Sequence, residues 1–128
     1  MNQETMTALR NFVGEGLVSL NTEDIEEPKD NILWTAAAQR DWQSIKGKIT
    51  AGERQETEKA VKSLGILPKQ RANLPDTMLD LEGVRCLAWT EILIFYKYNS
   101  SYNLVDILRL SHGNRAWLEY IEQVYKPV

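Results

Sequence analysis

The sequence of 128 residues contains a single cysteine, Cys86, and a single histidine, His112. One cysteine excludes an internal disulfide and a cysteine-based zinc cage, and one histidine leaves too few nitrogen ligands for a stable metal site. No cofactor is therefore expected. Long apolar runs are also missing. The longest mainly apolar stretch, residues 92–98, is far below the roughly 20 residues that cross a bilayer, so no membrane association is expected. Met1-Asn-Gln-Glu-Thr has neither the basic start nor the apolar run of a signal peptide, which gives the expectation of a cytoplasmic protein. Neither sign of charge dominates: 15 basic against 18 acidic residues leave −3. With 43% hydrophobic and 26% charged residues, what remains is an ordinary globular composition of single-domain length.

The small net charge averages two unlike parts. Residues 1–31 hold two basic and seven acidic residues, a net of −5, whereas residues 32–128 hold thirteen and eleven, a net of +2. The acidic lead-in places Met6, Leu9, Val13, Leu17 and Leu20 at spacings of 3 and 4, a helical stripe. Gly14 and Gly16 weaken it by about 1 kcal/mol each relative to Ala. Such a helix needs a surface to lie on. The polar, proline-punctuated stretch after it reads as a linker or extended arm, with the boundary near Asn31. Residues 1–30 are thus expected to form an acidic arm and residues 31–128 the main domain.

Ile32-Leu33-Trp34 reads as a short strand feeding a helix through Thr35, a good N-cap. Ala38, Trp42, Ile45 and Ile49 keep the spacing of a buried stripe. After a break at Thr50-Ala51-Gly52, residues 53–64 form a more polar helix with a Glu58–Lys62 pair and with Gly65 as its left-handed cap. A loop with a turn at Pro75-Asp76 follows. Residues 84–90, 92–98 and 104–110 are rich in strand-forming side chains. Residues 99–103 join the last two as a hairpin, and the almost wholly apolar 92–98 suits a central strand covered on both faces. Trp117, Ile121 and Val124, with Tyr120 alongside, mark a terminal helix. The expected fold is α+β: strand, helical hairpin, three-stranded antiparallel meander and C-terminal helix.

Three segments carry a family resemblance. Gly83-Val84-Arg85-Cys86-Leu87 with Ile92-Leu93-Ile94-Phe95-Tyr96-Lys97, the ending Ile107-Leu108-Arg109-Leu110-Ser111-His112-Gly113-Asn114-Arg115-Ala116-Trp117, and the opening from Ile32 through Ile45 together resemble the ParE/RelE superfamily of toxins from bacterial toxin–antitoxin pairs, over about residues 31–128. The resemblance implies a toxin held inactive by a cognate antitoxin, in a pair that stabilises plasmids. ParE-type members bind and inhibit DNA gyrase; RelE-type members cut mRNA on the ribosome. Ala8 to Leu17 is similar to a short stretch of ParD-type antitoxins, so residues 1–30 are expected to cover part of the toxin surface, in the manner of an antitoxin arm.

The two activities make different demands. Metal-free RNA cleavage needs cations for the phosphates and a proton-transfer group near the 2′-hydroxyl. For that reading the candidates are Arg85, Arg109, His112, Arg115 and Tyr120, Arg115 matching a family catalytic arginine and histidine being the side chain that titrates near neutrality. The loop after the helical hairpin offers only Lys69 and Arg71, and +2 is a low charge for gripping ribosomal RNA. The gyrase-binding reading is therefore favoured, with no catalytic residues and with Arg109, Arg115 and Trp117 as target or partner contacts. A non-toxic regulatory relative is the third reading. Each residue also has a structural role open to it. His112 suits a hydrogen bond in the turn before the last helix. Arg85 and Arg109 suit partnership with Asp80 or Asp106. Trp42, Trp89 and Trp117 suit packing, and Cys86 suits burial.

Overall fold

The computed structural model describes residues 2–22, 27–74 and 82–125. Among these residues four helices and four strands follow one another as α1 (Gln3–Thr22), β1 (Ile32–Trp34), α2 (Ala36–Lys46), α3 (Ala51–Ile66), β2 (Val84–Trp89), β3 (Ile92–Asn99), β4 (Leu104–His112) and α4 (Arg115–Tyr125). The strands form one mixed sheet in the order β1-β4-β3-β2, with β1 parallel to β4 and the other two pairings antiparallel. The fold is α+β, as the periodicity implied.

Local chemistry accounts for the element ends. The Thr35 side chain accepts the Ala38 N–H at 3.0 Å and starts α2. Thr50 and Glu53 cap α3 reciprocally, each accepting the other's backbone N–H, the arrangement that satisfies two otherwise unpaired donors. Asn114 does the same for α4 by accepting from Trp117 N at 3.1 Å, so Asn114 rather than His112 launches the last helix. Asp30 and Asn31, both at positive φ, form a tight turn in which Lys29 and Ile32 exchange backbone hydrogen bonds, so the expected extended arm ends in a closed turn.

The expectations for α3 differ from the structure at its start, its end and its ion pair: the helix begins at Ala51, so Ala51 and Gly52 belong to it and not to a break. Gly65 lies inside the helix, which continues to Ile66. A Cβ at Gly65 would stand 2.7 Å from the Asn31 side-chain oxygen and 3.1 Å from the Asp30 carbonyl; the glycine admits the Asp30-Asn31 turn and does not end the helix. The surface ion pair is Glu56–Lys59 at 3.6 Å, where Glu58–Lys62 was expected. The turn at Pro75-Asp76, the proposed partner Asp80, and part of the expected linker fall outside the described residues.

Both faces of the sheet are covered. On the first, Val84, Cys86, Leu93, Phe95 and Leu108 pack against Leu9 and Val13 of α1 and Trp117, Leu118 and Ile121 of α4. On the second, Leu87, Ile92, Ile94, Tyr96, Val105, Ile107 and Leu110 pack against Ala38 and Ile45 of α2 and Ala60, Val61 and Leu64 of α3. The residues Ile92 to Tyr96 of β3 are buried without a break, as a strand covered on both faces requires. The N-terminal stripe of α1 thus has its surface: Leu9 and Val13 are fully buried. α1 consequently shares a core with the sheet and α4.

Candidate functional site

The site begins with an irregularity in β4. Phe95 pairs with Arg109 but the next residue, Tyr96, pairs with Ile107. Leu108 is therefore an extra residue, a β-bulge. Ile107 and Leu110 enter the second core while Leu108 enters the first, and Arg109, opposite Phe95, shares the first face. The bulge thus aims two consecutive side chains, Leu108 and Arg109, at α1.

β1 ends after three residues, and β4 runs on beyond it. Thr35 and Asp41 continue the pairing where β1 stops, Thr35 first through its backbone N–H to the Ile107 carbonyl at 3.2 Å. The Thr35 hydroxyl donates to the Ile107 carbonyl at 2.9 Å, with the Leu108 carbonyl at 3.1 Å, and Asp41 accepts the Leu110 N–H at 3.0 Å. Asp41 also takes Arg109 bidentately, through Nε and Nη2 at 2.7 Å each, the geometry that gives a guanidinium–carboxylate pair its strength and direction.

α1 closes over this pair. Arg109 Nη1 donates to Glu15 Oε2 at 2.6 Å and to the Phe12 carbonyl at 3.2 Å. The Phe12 ring lies 3.9 Å from the guanidinium carbon, within cation–π range. Burial alone would lower the Arg109 pKa; Asp41 and Glu15 outweigh it, and the guanidinium stays above its ordinary value. The two carboxylates are unequal. Arg109 and Asp41 side chains are each 13% exposed, whereas that of Glu15 is 72% exposed. Phe12 completes the cover, with its ring 5.1 Å from Trp117 and 6.2 Å from Phe95. Close approach depends on Gly16, where a Cβ would stand 2.8 Å from the Leu108 carbonyl carbon and 2.9 Å from its Cβ. On the next turn of α1, the Ser19 hydroxyl accepts the Ala37 N–H at 3.1 Å.

The residues singled out in the sequence are dispersed around this site. Arg85 pairs with Tyr96 and His112 with Ile92, so both leave the sheet on the second face, while Arg109 leaves it on the first. Arg115, 75% exposed, pairs with Glu91 at 2.8 Å, at the end of β2 remote from Arg85. Tyr120 packs beside the first core and Trp117 within it. Asp106, offered as an arginine partner, stands opposite Lys97 instead. Cys86 is fully buried, and burial pushes its thiol up, away from the reactive thiolate.

A second polar cluster lies at the start of β2. Arg85 Nη1 donates to the Arg71 carbonyl at 2.5 Å, and the Arg71 guanidinium stands 5.6 Å from the centre of the Tyr125 ring. Tyr125 OH donates to the Ala72 carbonyl at 2.7 Å and accepts from Cys86 N at 3.2 Å, while Tyr96 OH donates to Pro68 at 3.0 Å. Burial raises the pKa of both tyrosines, so both hydroxyls stay protonated. Among the described residues neither arginine has an ion pair.

Phe12, Glu15, Asp41, Arg71 and Tyr125 are functional candidates that sequence reasoning did not name as such. The i,i+3 spacing of Phe12 and Glu15 puts them on one helix face, but nothing local signals a partner 94 residues away. Among the described residues no group of three His, Cys, Asp or Glu side chains is placed to hold a metal ion, and no helix is long and apolar enough to cross a membrane. No family model matches the chain, and no match was found among curated proteins.

Proposed function

We propose that this chain is a toxin of the ParE/RelE kind that acts by binding its target, DNA gyrase, and is neutralised by a cognate antitoxin. The observation that carries the choice of binding over cleavage is the dispersal of the five ribonuclease candidates. Phosphate gripping and proton transfer must converge within hydrogen-bond reach of one 2′-hydroxyl. Arg109 is enclosed by Asp41, Glu15 and Phe12 on one face, Arg85 and His112 leave the other, and Arg115 is exposed on α4. The order of elements from β1 to α4 supports the family reading.

Induced expression in a growing culture tests it. Filamentous cells with DNA-damage signalling are expected. Arrested translation with cut transcripts would replace the gyrase reading by the ribonuclease one, and neither response would leave a non-toxic regulatory relative. Within the toxin, Arg115→Ala is the informative contact variant, because this exposed side chain can be removed without opening the core. Loss of filamentation with an unchanged melting temperature is expected.

One observation favours the second reading: Arg71 and Arg85 stand together beside two protonated tyrosine hydroxyls. If transcripts are cut on induction, Arg71→Ala and Arg85→Ala should each abolish the cutting.

A further inference from the structure

We infer that α1 is a displaceable cover in this chain's own helix-binding groove, and that the groove recognises an amphipathic helix with the pattern Leu9, Phe12, Val13, Glu15, Gly16. The inference deepens the toxin reading by giving the protein a neutralising segment in cis, and rests on that reading only for its effect on growth.

The parts of the groove belong to elements other than α1. Asp41 holds Arg109 bidentately and also accepts from Leu110 N. The guanidinium is therefore aimed before any helix arrives, with Nη1 left to meet an incoming carboxylate. Below it Phe95, Leu108 and Trp117 give an apolar floor, and the bulge at Leu108 brings the β4 backbone forward to where only a residue lacking Cβ fits. Each feature selects one property of the helix. Arg109 selects a carboxylate, the floor an aromatic ring, and the bulge a glycine one residue after the carboxylate.

α1 meets all of these, yet it is attached differently from the other helices. Its charged contact with Arg109 uses the well-exposed Glu15, while the buried carboxylate at that arginine comes from α2. A helix covalently tethered to its own domain competes at a high effective concentration, so a micromolar competitor should not enter the occupied groove.

The test uses the full chain carrying Gly16→Leu, whose side chain cannot pass the Leu108 backbone, and a fluorescent synthetic peptide of residues 2–22. Saturable binding of the peptide to the variant is expected, at least tenfold tighter than to the unaltered chain. A Glu15→Arg, Phe12→Ala peptide should bind at least tenfold more weakly than the native one. Equal binding to both proteins, no binding to the variant, or loss of amide protection across β3 and β4 in the variant would each overturn the inference. The last would mean that α1 is inseparable from the folded core. Growth on induction is read separately: greater arrest with Gly16→Leu joins the cover to toxicity, whereas binding without any arrest from either protein would sink the toxin reading alone.

Discussion

The two faces of the sheet are covered by helices of different origin. α2 and α3 are consecutive, each starts on a side-chain cap, and together they bury an apolar layer containing Ile94, Ile107, Leu64 and Tyr96. α1 and α4 come from opposite ends of the described chain and meet through Phe12 and Trp117. Their layer includes a guanidinium with two carboxylates and a glycine pressed against a bulge. The second face is held by apolar area, which is non-directional. The first is held partly by geometry, and geometry can discriminate among occupants.

That contrast can be tested from its strongest element downward. Leu64→Ala, fully buried on the second face, should cost about 2–5 kcal/mol in denaturant unfolding and lower the protection of every element together. Arg109→Ala removes one partner of a buried pair and leaves Asp41 unmatched, an effect of about 3–5 kcal/mol where such pairs are fully enclosed and less here because Glu15 is open to solvent. Its distinguishing result is a larger loss of protection in α1 than in α3. Thr50→Ala should cost about 1 kcal/mol through the lost α3 cap, read as a shift in denaturation midpoint with α1 protection following only the global change. Glu15→Gln should cost well under 1 kcal/mol in global stability and still speed amide exchange in α1.

The pH dependence carries a smaller signal. Burial raises the Asp106 carboxyl above its ordinary value near 3.8, with Lys97 opposing the shift. The folded state therefore binds this proton more tightly than the unfolded one. The corresponding stability is present at low pH and is lost as pH rises through the folded value, so the buried charge burdens the fold at neutrality. Asp106→Asn should raise the melting temperature slightly at pH 7 and flatten its dependence on pH. An unchanged pH profile would contradict the burial assigned to this carboxyl.

Legibility in the sequence follows the same division. Thr35 before three alanines, the stripe from Ala38 to Ile45, and the apolar run of β3 are local patterns that appear where periodicity places them, whereas Ile49, expected on the same stripe, lies beyond the end of α2 at Lys46. Gly65 was misread because a helix-ending glycine and a glycine admitting a neighbouring turn look alike until Asp30 and Asn31 are seen beside it. Gly16 was read only as a weak point in a helix, since the feature that demands it, Leu108, lies 92 positions away. Asp41 gave no signal at all. Its role follows from β1 being shorter than β4, a property of pairing and not of any single segment. Arg85 and Arg109 were grouped as cations for one phosphate-binding site, but the bulge and the strand register send them to opposite faces.

Native-state hydrogen exchange of the full, unaltered chain tests the displaceable cover most directly. Amides of α1 between Leu9 and Ser19 should exchange through an opening of distinctly lower free energy than those of β3, with little dependence on denaturant, while α2 and α3 remain protected with the sheet. Equal opening free energies and equal denaturant slopes for α1 and β3 would show that the helix leaves only when the whole domain unfolds, and would contradict the account.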